Sequence, residues 1–250
     1  MLRLSIFAVL AGLLMPATKP SSLVPTGGKL AVHTRWEGER PQPLPPLNID
    51  PKTAEGCVAE GETIDATNRD LRIASGGGVS DVVITLTPQD PAAKKDASAE
   101  TYVLDQKHCH FEPHVLVVPA GSSVRYENGD GVTHNVHTYS LHNKVFNSSV
   151  GSGSSELRTL DHPEIVTVKC DIHSWMKGFV YVTDAPYFGT TDADGSLELD
   201  QLPAGTYEAA WWHPTLGKGK LDPVTIAEGE TSILELPLKA RHKHKRKHRR

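Results

Sequence analysis

The seven residues Cys170-Asp171-Ile172-His173-Ser174-Trp175-Met176 bring together a thiolate, an imidazole and a thioether. Soft sulfur donors beside imidazole select copper, and two histidines, one cysteine and a weak axial methionine make an electron-transfer site. The stretch lacks only one histidine of that set. Val132-Thr133-His134-Asn135-Val136-His137 offers it upstream. In a strand, His134 shares a face with Val132 and Val136 while His137 points the other way, so His134 is expected to face the core. Two other readings stand beside copper. A Cys-x2-His pair is common by chance, and a fold that has lost its metal would keep the same residues. Structural zinc takes four Cys or His ligands and has no use for Met. Met176 therefore argues for copper over zinc, since the only other methionines are Met1 and Met15, in the leader.

The elements that must position these residues are strands. Ile165 to Lys169 alternates apolar and polar residues, as does Phe179 to Val182, so the seven-residue stretch is a loop between two strands. Residues 115–118 and 123–126 are further strands around the Pro119-Ala120-Gly121 turn, and Asn128-Gly129-Asp130-Gly131 is a tight turn leading into the His134 strand.

A His-Asn-Val strand followed by Cys-x2-His-x2-Met resembles the copper site of the cupredoxins, with the amicyanin form of the ligand loop, over residues 104–184. The resemblance implies a Greek-key sandwich holding one type 1 copper on His134, Cys170, His173 and Met176. It also implies that Asn135 tethers the cysteine-bearing loop, and that His173 presents its edge to redox partners as the exit for electrons. Ile172 and Ser174 stand where such loops often carry proline, and Asp171 where a small or hydroxyl residue is common.

The start of the chain, Met-Leu-Arg and then an apolar run from Leu4 to Met15, matches a secretory signal peptide within residues 1–20. The run is short for a bilayer span, so no transmembrane segment is expected in the mature chain. Periplasmic or extracellular placement follows, and export disfavours a nucleic-acid partner. It also bears on the three cysteines, an odd number for an oxidising compartment unless one is committed to metal. With Cys170 assigned to copper, Cys57 and Cys109 are expected to pair.

Of the 26 Lys and Arg, 8 lie in residues 239–250, which hold no acid; the other 238 residues set 18 basic against 30 acidic side chains, a net −12. The tail, with its three histidines, is expected to be disordered and to suit an anionic surface or polymer. His108-x-His110 in a strand would put two imidazoles on one face; solvated or structural roles are the preferred reading of these and of His114, His137 and His142.

The whole chain reads as all-β. Residues 21–100 form a β-rich N-terminal extension with a Pro-rich connector (Pro41–Pro46), expected to pack on the copper domain at 101–184. Residues 185–238 form a second small β-sandwich. There the acidic Gly turn at 192–195 and Leu202-Pro203-x-Gly205-x-Tyr207 resemble carboxypeptidase-regulatory-like and transthyretin-like modules, which implies an interaction or spacer role. The function expected is an exported blue copper protein that carries single electrons to and from a redox protein partner. A copper carrier or surface-interaction protein using the same fold as scaffold is the alternative. Neither is an enzyme: no Ser-His-Asp order, phosphate loop or second clear ligand set is present.

Overall fold

A computed structural model describes residues 27–93 and 100–240. The signal peptide assigned to 1–20 and residues 241–250 of the basic tail lie outside them. Seventeen strands follow in chain order. They are β1 (Gly28–Trp36), β2 (Val83–Pro88), β3 (Thr101–Lys107), β4 (His110–Glu112), β5 (Val115–Pro119) and β6 (Ser122–Asn128). Next come β7 (His134–Tyr139), β8 (Asn147–Val150), β9 (Ser155–Leu160), β10 (Glu164–Lys169), β11 (Lys177–Thr183) and β12 (Tyr187–Thr190). The last are β13 (Ser196–Leu202), β14 (Gly205–His213), β15 (Gly217–Lys220), β16 (Val224–Ile226) and β17 (Thr231–Leu238). Among the described residues there is no α-helix, and the protein is all-β.

The strands make four sheets, ordered β13-β1-β17, β12-β2-β14-β15, β5-β11-β10-β7-β8 and β4-β3-β6-β9, with β16 added to β14. Period-two alternation along the strands explains how the sheets stack. In β11, Val180 and Val182 face one core, with Leu104, Phe111, Val124 and Tyr126 of the outermost sheet. Phe179 and Tyr181 of the same strand face the other way, where they meet Val115 and Val117 of β5 and Val83 and Trp212 of the neighbouring sheet. Ile84, Leu86 and Tyr207 then point on into a third layer of side chains with Leu30, Val32 and Leu236. Two sandwiches thereby meet face to face over β5 and β11 on one side and β2, β12 and β14 on the other, where the middle sheets are apolar on both faces.

The extension inferred for residues 21–100 does not form a unit of its own. Strand β1 pairs in parallel with β17 and antiparallel with β13, and β2 sits between β12 and β14, so both complete the C-terminal sandwich. The extension's packing on the 101–184 unit comes from Val83 of β2 and from the irregular stretch after β1, through Leu47, Ile49, Ala54 and Ile64. Local patterning marks a strand but carries no record of which distant strand it pairs with. Gly78 shows how closely the two ends of the chain approach: a Cβ there would stand 1.8 Å from the Asp194 carbonyl oxygen. Asp192 shapes that hairpin, its Oδ1 accepting the N–H groups of Asp194 and Ser196 at 2.9 Å each. Tyr207 closes the neighbouring corner by donating its hydroxyl to the Pro203 carbonyl at 2.6 Å.

His213, at the end of β14, is 1% exposed, and its Nδ1 accepts the N–H groups of Thr215 and Leu216. Burial drives its pKa down to about 4, with Asp81 and Asp70 opposing and His114 assisting. The folded state therefore refuses a proton that the unfolded chain accepts at about 6.5. This stability is present above pH 6.5, falls as pH drops from 6.5 towards 4, and amounts to about 3 kcal/mol at most. Urea midpoints across that window should fall for the wild type. They should fall less for His213→Asn, and equal slopes would mean that His213 is not the group responsible.

Candidate metal centre

The β10–β11 connection carries Cys170, His173 and Met176, and it is wound tightly by its own backbone. The Met176 N–H donates to the His173 carbonyl at 2.8 Å, and the Cys170 N–H donates to the Met176 carbonyl at 3.3 Å. His134 enters from β7, the neighbour of β10 in the same sheet. Alternation places His134 inward, fully buried, while His137 lies on the other face. The structure brings His134, Cys170 and His173 together. Their Nδ1, Sγ and Nδ1 atoms are 2.9 Å apart between the rings and 4.0 and 3.6 Å from the sulfur. Met176 is fully buried in the core cluster that includes Cys170.

Partners of the far ring nitrogens fix the tautomers. His173 Nε2 lies 2.9 Å from the Thr53 carbonyl oxygen, which only accepts, so Nε2 carries the hydrogen. His134 Nε2 lies 2.8 Å from Asp130 Oδ2, a buried carboxylate, and donates to it. Both Nδ1 atoms then present lone pairs to one another at 2.9 Å, with the Cys170 sulfur beside them. A cation belongs between them.

The electrostatics agree with that demand. Burial opposes ionisation of Cys170, but the two imidazoles beside its sulfur and the N–H groups of Asn135 and His173 outweigh it and bring the thiol down to about 6. A thiolate is therefore the prevailing form at neutral pH. Burial likewise works against a proton on His134, yet Asp130 and Cys170 prevail and raise its pKa. For Asp130, burial is overcome by His134 and by the N–H groups of Cys109 and His108, which lower its pKa.

Asn135 does tether the loop. Its Oδ1 accepts the Asp171 N–H, its own N–H points to Cys170 Sγ at 3.5 Å, and its Nδ2 donates to Asp171 Oδ2 at 3.3 Å. Asp171 is held further by His137 and Asn147. Cys57 and Cys109 form a disulfide and Cys170 is free.

One expectation is overturned. His173 does not present its edge to solvent: it is 2% exposed, because residues 53–57 cross the loop as a strap fastened by the Thr53 carbonyl and by Cys57. His108-x-His110 is not one face of a strand either. His108 and Cys109 form the β3–β4 turn at φ 53° and 54°, and His110 bonds to the Asp65 carbonyl. The sequence reading missed Asp130 and Thr53. Asp130 sits four residues before His134 in a stretch whose Asn and Gly content reads as turn chemistry. Thr53 acts through its backbone, which no side chain advertises.

No protein-family model and no curated protein matches this chain. Among solved structures, a purple cupredoxin from Nitrosopumilus maritimus is similar at 23% identity and a TM-score of 0.29, over 34% of this chain and 99% of its own. Amicyanin from Paracoccus versutus is similar at 23% identity and a TM-score of 0.31, over 40% and 97%. A copper-containing nitrite reductase from Thermus scotoductus SA-01 is similar at 23% identity and 0.32, over 39% of this chain and 27% of its own.

Proposed function

We propose that this protein is an exported type 1 copper protein that carries single electrons between redox partners. The observation that carries the reading is the convergence of two imidazole nitrogens and a buried, unpaired cysteine sulfur on one point. His134 Nδ1, His173 Nδ1 and Cys170 Sγ would hold the metal, with Met176 as the weak axial donor. Bound copper would supply one-electron chemistry. Everything else is work for this chain's own residues. Asp130 and the Thr53 carbonyl hold the two rings in the ligating tautomer, and such outer partners are worth roughly 10–100-fold in metal affinity. Asn135 keeps the cysteine loop on β7, and the strap keeps water from His173.

With His173 covered, a partner would reach the centre over Asp171 and Ile172, the part of the loop that is exposed next to Cys170. The C-terminal sandwich would serve as a spacer or interaction module, and the basic tail would favour anionic surfaces. Among the described residues no helix is long and apolar enough to cross a membrane. A second reading, a copper-holding or surface-interaction protein, draws support from the strap, which favours retention over fast exchange. The visible spectrum of the copper-loaded protein, followed by a redox titration, tests the first reading. Intense absorption that bleaches and returns reversibly is the expected result, and a colourless copper complex would overturn it.

Met176 offers a sharper test of the ligand set. Met176→Leu keeps the volume and removes the donor, so the protein should stay folded and coloured. An axial thioether stabilises Cu(II) more than Cu(I), so the reduction potential should rise. A spectroelectrochemical titration reads it, and an unchanged potential would make Met176 a packing residue.

A further inference from the structure

The disulfide lies in the wall of the centre. Cys109 Sγ is 3.8 Å from His134 Nε2, and the Cys109 N–H donates to Asp130 Oδ2 at 2.8 Å. Two donor groups besides His134/Cys170/His173 lie within 4.8 Å internally, and both are buried. One is Cys57, Cys109 and His173; the other is Cys109, Asp130 and His134. Both contain the disulfide sulfurs, which carry no charge and bind metals poorly while bonded to each other. Cleaving that bond would leave two thiols, 2% and 0% exposed, beside a carboxylate and two imidazoles.

We propose that the reduced protein binds a second Cu(I), held by the thiolates of Cys57 and Cys109 on the Asp130 side of His134. This rests on the copper reading of the Cys170 centre only for the identity of its neighbour. A dithiol is the reductant: it gives two electrons and two protons to the Cys57–Cys109 bond and leaves as its own cyclic disulfide. Cu(I) then displaces the two thiol protons and forms two copper–sulfur bonds, with no change in its oxidation state. Soft thiolates select Cu(I). Neutralising one of two buried negative charges also makes the ion-bound pair cheaper to keep out of water than the bare thiolates.

The backbone gives the sulfurs room to move apart. The two Cα atoms are 5.3 Å apart, Cys109 lies in the tight β3–β4 turn, and Cys57 lies in a strap built of turns. That strap is held by turn bonds, the Thr53 and Ala54 N–H groups donating to the Asp50 carbonyl at 3.2 and 3.0 Å and the Cys57 N–H to the Ala54 carbonyl at 3.1 Å. Local opening of this turn segment is the route by which the dithiol reaches the bond. The copper capacity of the chain would thus report the thiol redox state around it.

The test is an anaerobic titration of the metal-free full chain with Cu(I) against a chromophoric chelator. One sample is unreduced; the other is treated with dithiothreitol and then desalted under argon. One Cu(I) per chain is expected before reduction and two after it. One Cu(I) in both samples would overturn the proposal, as would two in a reduced Cys57→Ser/Cys109→Ser variant. A wild-type measurement guards against a variant that fails to fold: in the Cu(I)-saturated reduced chain, Cys57 and Cys109 should resist alkylation as Cys170 does. Mass mapping that finds them modified while Cys170 is protected sinks the second site. No Cu(I) in the unreduced chain would instead overturn the copper reading of Cys170, so the two failures are told apart.

Discussion

Cys170→Ser should abolish the intense visible absorption of the copper-loaded protein and lower its copper affinity by about 100-fold or more, beyond the 10–100-fold expected when an outer partner is lost. The colour of such a site needs a short copper–thiolate bond, and Cys170 is the only free cysteine. A serine hydroxyl is a hard, neutral donor that stays protonated at neutral pH, so it replaces neither the charge nor the softness. Its smaller oxygen also leaves the N–H groups of Asn135 and His173, which now point at the sulfur at 3.5 and 3.4 Å, without an ionised acceptor. Asp130→Asn is the informative companion. It keeps the shape and removes the charge that holds the His134 hydrogen on Nε2, so affinity should fall about 10–100-fold while the colour persists. Competition titrations and visible spectra of both variants check these outcomes. A Cys170→Ser protein that keeps its colour would remove the thiolate from the centre.

The inner donors were legible because they are a local pattern. Three sit in one loop, and strand alternation picks His134 over His137. What surrounds them was not legible, because it is assembled from afar. Thr53 contributes a carbonyl from 120 positions upstream of His173, and Asp130 is read as turn chemistry until the fold buries it. The strands show the same division. β1 and β2 announce themselves by alternation, yet the pairing of β1 with β17 spans nearly the whole described chain and leaves no trace in either segment. The prolines at 41–46 suggested a connector, which hid the fact that the residues after them form a cover.

Trp212→Ala should cost about 3–5 kcal/mol, the range for emptying a buried aromatic position. Trp212 is 7% exposed and lies against Phe179 and Tyr181, with ring centroids 5.6 Å away in both cases. With Val83, Val115 and Val117 it makes up most of the apolar contact between the two sandwiches. The loss falls on the seam between cores, while each core keeps its own side chains. Calorimetry should therefore show the melting temperature falling by ~6–20 °C. The single transition should also separate into two, the copper-sensitive one belonging to residues 101–184. Copper colour should be unchanged, since no ligand touches Trp212. A single sharp transition at nearly the original temperature would mean that the sandwiches do not depend on this seam.

The split of the C-terminal sandwich between the two ends of the chain has a consequence for its birth on the ribosome. Strand β1 is made first, but its partners β13 and β17 follow about 160 and 200 residues later. At roughly 5–20 residues per second, β1 waits on the order of 10–40 s with both edges bare. Unpaired strand edges recruit other chains. The 101–184 unit has all its strands well before that sandwich can close, so the nascent chain carries a finished middle and two unmatched strands behind it. Slowing elongation should lengthen that wait and raise the share of chains lost to aggregation, with the harm concentrated in β1 and β2.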